Sequence, residues 1–142
     1  MFSKEEAKEL RQQFWIFFDK RFKRKWLLYN TGVKEINLKF TVDNKQAMVS
    51  YDIETNDDLF REYYYDKFES LKTLMKNEVN EALVFEKEYL RTSGKVISRI
   101  YLNKTGVNIY RKSDWPVIFD FLYENMDKLE AFWLEYRDFI SA

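Results

Sequence analysis

Asp52 and Glu54 stand two residues apart in an alternating stretch, so a β-strand would turn both carboxylates to one face. Metal-dependent nucleases of the restriction type hold a divalent ion with such acids. They also need Glu-x-Lys on the next strand, where the lysine stabilises charge on the attacked phosphate. The one Glu-x-Lys in the chain is Glu6-Ala7-Lys8, in a helical stretch near the N-terminus. Glu86-Lys87-Glu88 is out of register, because neighbouring residues of a strand point to opposite faces. An unusual or degenerate nuclease centred on Asp52 and Glu54, with those two as metal ligands, is therefore one reading. The other is that both acids are the solvated side of a half-buried strand.

The residue inventory closes most other routes. There is no cysteine and no histidine, so disulfides, thiolate nucleophiles and imidazole bases or ligands are excluded. Any serine nucleophile lacks its histidine. Three glycines cannot build a phosphate-cradling loop. No acid pair is singled out for glycoside hydrolysis. No cofactor is expected.

Basic residues interleaved with aromatics are the strongest remaining pattern. Tyr89, Arg91, Lys95, Arg99, Tyr101, Lys104, Tyr110, Arg111 and Lys112 cluster in the second hairpin and its tail. Cations neutralise phosphates and tyrosines stack on bases, so Arg91, Lys95, Arg99, Tyr101 and Lys104 are candidates for weak binding of nucleic acid or another anion. Arg99 leads, because a guanidinium grips phosphate with two donors. The competing reading packs the tyrosines and leaves the cations in solvent. A second basic run, Lys20 to Lys25 beside Trp26, also suits the negative end of a helix dipole.

These residues need elements to position them. The chain has 142 residues, 46% hydrophobic, 34% charged and 19% aromatic, which fits one domain over residues 1–142 and excludes disorder. No apolar run is long enough to span a membrane. The charged start predicts no export signal, and with no cysteines a cytoplasmic location is expected. Net charge is zero, yet 1–45 and 81–112 are basic while 46–80 and 113–142 are acidic. Such blocks fit complementary packing, or a basic surface assembled from distant segments.

Ser3 with Glu6 has capping-box spacing, and the apolar stripe behind it predicts a helix from about Lys4 to Lys25. Residues 36–42 and 47–53 alternate about the turn Asp43-Asn44-Lys45, a hairpin with one buried face. Asn56 to about Asn80 reads as a second helix. A second hairpin follows at 83–91 and 96–103, with a short extra strand at 107–110. The last helix opens at Ser113-Asp114-Trp115-Pro116. The order αββαββα predicts an α+β fold, an antiparallel sheet of two hairpins with three helices mainly on one face.

The aromatic excess favours self-association, since three helices cover one sheet face only. Tyr63-Tyr64-Tyr65 covers about 200° of a helix, more than one stripe buries, which makes Tyr63 and Tyr65 candidates for a homodimer interface.

Phe2-Ser3-Lys4-Glu5-Glu6-Ala7, Phe14-Trp15, Lys25-Trp26-Leu27-Leu28-Tyr29, Ser98-Arg99-Ile100-Tyr101, Trp115-Pro116-x-Ile118-Phe119 and Glu135-Tyr136-Arg137-Asp138-Phe139-Ile140 resemble a bacterial family, domain-of-unknown-function family 4268. The similar segments span nearly the whole chain and are mostly packing residues. Members that occur fused to nuclease-like domains imply a nucleic-acid or defence context. The resulting expectation is a non-enzymatic binding module for protein, for a second copy of itself or for nucleic acid.

Overall fold

A computed structural model describes residues 2–142. Helix α1 runs Lys4–Arg21, strands β1 Ile36–Val42 and β2 Gln46–Ile53, helices α2 Asp58–Ser70 and α3 Lys72–Glu78, strands β3 Val84–Leu90 and β4 Val96–Thr105, and helix α4 Trp115–Ser141 after a 3-10 turn at Lys112–Asp114. The two hairpins join into one antiparallel sheet in the order β1-β2-β4-β3. The fold is α+β as the periodicity predicts, with four helices rather than three.

Register assigns the faces. Ile36, Leu38, Phe40 and Val42 of β1, Ala47, Val49, Tyr51 and Ile53 of β2, and Ile100 and Leu102 of β4 share one face. The long α4 lies across β1 and β2, and α2 packs on β2, β3 and β4. Ile118, Leu122, Met126, Leu129 and Trp133 recur at helical spacing on α4 and are buried against the sheet's apolar face. Two buried donors fasten this layer: Tyr51 Oη donates to the Leu129 carbonyl, and Trp133 Nε1 donates to the Thr31 carbonyl at 3.2 Å.

The capping box is present at the start of α1. Ser3 Oγ accepts from the Glu6 N–H, and the Glu6 carboxylate accepts from the Ser3 N–H. This helix docks through aromatic rings. Phe14 meets Trp115 edge-on at 5.5 Å and Phe119 at 4.9 Å, while Phe18 meets Phe40 at 5.4 Å. Much of the aromatic excess is thus used inside the molecule, where tilted and edge-on rings fill thick gaps between layers.

Four local expectations need correction. First, α1 ends at Arg21 instead of Lys25. Beyond it Phe22 stacks on Tyr123 at 4.3 Å, Trp26 meets Phe40, and Arg24 turns to Asp127 and Glu130, contacts that a continued helix would separate. Second, the helix expected over 56–80 is two helices broken at Leu71. Ser70 Oγ donates to the Lys67 carbonyl, which competes with the helical ladder, and the new direction buries Met75 and Val79. Third, residues 107–110 form a turn. The Ile109 N–H bonds the Asp43 carbonyl, and Val107 and Ile109 are core residues. Fourth, neither Ser113 nor Asp114 caps α4 with its side chain. Asp114 Oδ2 accepts from the Asn108 N–H at 3.0 Å instead.

The charge blocks pack as complements. Arg21 and Arg24 from the first block meet Asp120, Asp127 and Glu130 of the last. Lys87, Arg91, Lys95 and Arg99 from the third meet Glu62, Glu54 and Asp52 of the second. Among the described residues no helix is long and apolar enough to cross a membrane.

Phe14 is wholly buried against the rings of Trp15 on its own helix and of Trp115 and Phe119 on α4, so Phe14→Ala is expected to cost about 3–5 kcal/mol. Urea denaturation measures this; a loss under about 1 kcal/mol would mean that α1 contributes little to the core.

Candidate functional site

The second sheet face carries the residues with chemistry. Alternation turns Lys39 and Thr41 of β1, Met48, Ser50 and Asp52 of β2, and Ile97, Arg99, Tyr101 and Asn103 of β4 to this side. Among the described residues no helix lies on it. It is covered by its own long side chains, and β3 has a bulge between Glu86 and Tyr89 beside which the Tyr89 ring lies against Arg99. Between the outer end of β3 and the β1–β2 turn runs a cleft of about 430 Å³, lined by Lys39, Thr41, Met48, Tyr89, Arg91 and Arg99 among others.

Asp52 and Arg99 are opposite one another on β2 and β4 and are 2% and 4% exposed. Arg99 Nε donates to Asp52 Oδ1 and Nη2 to Oδ2, each at 2.8 Å, a bidentate pair. Ser50 Oγ donates to Asp52 Oδ1 at 2.7 Å. Tyr89 lays its ring on the guanidinium, 4.4 Å from the ring centre. Burial pulls the Arg99 pKa down, and the hydrogen bonds and charge of Asp52 more than offset it, leaving the group firmly cationic.

Asp52 is therefore not a solvated strand residue. Glu54 follows on the same side and takes Arg91 Nη1, with Lys95 Nζ at 3.4 Å. Both acids of the nuclease reading are held by cations rather than directed at a shared metal position. Among the described residues no group of three or more acidic side chains is arranged around a metal position.

The candidate binding residues divide. Arg91, Lys95, Arg99 and Tyr101 share the open face. Lys104 pairs with the core residue Ala47 and so lies on the helix side of the sheet, at its margin. Arg99 is the buried floor of the site rather than its exposed tip. Tyr101 Oη donates to Glu86, and burial first and this bond second push its pKa far up. Lys39, Thr41 and Met48 belong to the site and lie outside the dense basic sequence, whereas Tyr89 is part of it. The signal that finds them is parity: Lys39 and Thr41 alternate with core residues, as Asp52 does.

Tyr63 and Tyr65 also separate. Tyr65 is 7% exposed, packed in the core cluster with its hydroxyl donating to Glu69 at 3.0 Å, so it offers no surface to a partner. Tyr63 is 43% exposed, and its hydroxyl donates to the carbonyl of Ala142.

Removing one partner of the buried pair strands the other. Arg99→Met is expected to cost about 3–5 kcal/mol, and Asp52→Leu combined with Arg99→Met less than either single change. A double-mutant cycle by urea denaturation checks this, and additive losses would contradict it. The Tyr65 hydroxyl, pushed up to about 12 by burial and by Glu69, keeps its proton in the fold beyond the ordinary value of 10. The folded state then binds more protons than the unfolded chain above pH 10, so this contribution is present below pH 10 and lost as pH rises through 12. Urea midpoints across that window should fall more steeply in the parent than in Tyr65→Phe; parallel curves would refute the assignment.

Beyond its own geometry the chain can be placed by comparison. No curated protein and no solved structure matches it. A family model described as "Domain of unknown function (DUF4268)" matches residues 10–137, nearly the whole length, and the chain belongs to that family.

Proposed function

We propose that the chain is a non-enzymatic binding module that meets an anionic partner on the open face of its sheet. The observation that carries this reading is the pairing of Asp52 with Arg99 and of Glu54 with Arg91 and Lys95 beside a cleft rimmed by Lys39 and Arg91. Carboxylates held in this way are poor metal ligands and poor bases, whereas Arg91 and Lys95, which neutralise Glu54, reach the surface. A single-stranded nucleic acid suits that face: phosphates meet Lys39, Arg91 and Lys95, and the Tyr89 ring gives a base a surface to stack on.

Fluorescence anisotropy with a short single-stranded oligonucleotide tests it. Weak binding that falls with rising salt is expected. The double variant Arg91→Ala, Lys95→Ala should bind several-fold more weakly, with a log–log salt slope shallower by about 1.4, the value for two phosphate contacts on a single strand. Full affinity in that variant, or no salt dependence in the parent, overturns the nucleic-acid reading.

Self-association has a separate support. Phe60, Tyr63 and Phe139 are exposed together where α2 meets the end of α4, with Lys67 Nζ 5.2 Å from the Tyr63 ring centre and 4.8 Å from that of Phe139. A second copy would bury these rings. Light scattering over a concentration series should give a mass above 17.5 kDa for the parent and a lower one for Phe60→Ser, Phe139→Ser. A parent mass fixed at the monomer value removes the homodimer.

A further inference from the structure

The cleft has polar capacity that the protein itself does not use. Arg99 commits Nε and Nη2 to Asp52, while Nη1 faces the Met48 thioether at 3.5 Å, a weak acceptor, with Tyr89 against the guanidinium. Across the strand pair from Met48 stands Thr41. Thr41 lines the cleft, yet its hydroxyl is shut off from solvent and has no hydrogen-bond partner. Buried hydroxyls are nearly always paired. Because this one holds no bond, a rotation about χ1 that brings it to the cleft surface breaks none.

Lys39 is two residues along β1, on the same side as Thr41, and has no carboxylate within ion-pair distance among the described residues. Opposite it stand Tyr89 and Arg91. The one acid lining the cleft, Asp43, is at its end, where Oδ1 accepts from the N–H groups of Lys45 and Gln46 at 2.8 and 2.9 Å. A guanidinium, an ammonium and a free hydroxyl thus converge on a space of about 430 Å³, the size of a small-molecule site, with an aromatic wall.

We propose that Lys39, Thr41 and Arg99 form a site for the oxyanion of a small phosphate- or carboxylate-bearing molecule, whose remaining part lies against Tyr89 and Met48. This rests on the reading of the open face as the ligand face, and it deepens that reading by naming a discrete site. Lys39 supplies the mobile charge, Arg99 the fixed one, and Thr41 a donor that turns on binding.

Titration of the folded protein with inorganic phosphate and separately with acetate, followed by amide and arginine Nε–H NMR signals, tests the site. Shifts centred on Thr41, Met48 and the Arg99 Nε–H are expected, and the tighter arm identifies the oxyanion. Thr41→Val, which keeps the shape and removes the donor, should weaken binding about tenfold or more, the value of one hydrogen bond to a charged group. Lys39→Met should weaken it similarly, and neither substitution touches the buried ion pair. Shifts scattered over surface lysines, or equal affinity in parent and Thr41→Val, overturn the site. Oligonucleotide binding that needs Arg91 and Lys95 but is unchanged in Thr41→Val leaves the open-face reading standing and removes this site. Phosphate or acetate binding without oligonucleotide binding does the reverse, retaining the site and removing the polymer.

Discussion

Where the two hairpins meet, β2 and β4 must hold both faces of the sheet at once. On the helix side the junction is apolar, with Tyr51 opposite Ile100 and Val49 opposite Leu102. On the open side it is an ion pair with almost no solvent contact. A slip of one residue would carry Arg99 into the hydrophobic layer and Ile100 out of it. The pair and the core therefore enforce the same register, and everything hung on the sheet inherits it. Tyr51 reaches α4, Met48 reaches the guanidinium, and Glu54 reaches the β3–β4 turn. A helix on the open face would have to cover those charges, and the long side chains already there screen them without one.

The equality of 24 basic and 24 acidic residues hides a division of labour. Arg24 is the clearest case. It leaves the end of α1, lies 4.0 Å over the Trp26 ring, and meets Asp127 and Glu130 on α4, while Glu130 also accepts from the Leu27 N–H. One charged cluster thereby fixes the irregular segment between α1 and β1. The same segment contains Leu28 in a left-handed conformation at φ 47°, costly for a bulky residue, with its carbonyl accepting from the Leu38 N–H at the rim of β1. Strain at one residue is offset by edge protection of a strand.

Two hairpins and the stripes of the helices were legible because alternation and helical period are properties of contiguous residues. Parity alone also separates Arg99 from Lys104: five positions apart on a strand means opposite faces. Other features depend on contacts distant in sequence. Ser70 beside Leu71 is a weak local signal, common inside helices; the break follows mainly from where Met75 and Val79 must go. Asp52 was placed on the correct face but in the wrong surroundings, because alternation assigns a face and not a depth. Its burial comes from Arg99, forty-seven positions away, and from Tyr89, which lies against that guanidinium beside the bulge in β3. The tyrosine run shows the same limit: helical geometry says that three consecutive rings cannot all be buried, and only the packed partner shows that Tyr65 is the one that is.

The strand order has a consequence for how the chain reaches this structure. Each hairpin closes over a short turn, three residues between β1 and β2 and five between β3 and β4, so both are local and quick to form. The central pairing of β2 with β4 joins residues separated by two helices, and neither the bidentate ion pair nor the full apolar layer exists before it. This long-range pairing carries the loop-closure cost that slows folds of high contact order. Until that step, the inner edges of β2 and β4 are unpaired, and each is able to join the matching strand of another molecule instead. Association between incompletely folded copies is then governed by the same register that makes the folded sheet, with Arg99 of one chain opposite Asp52 of the next.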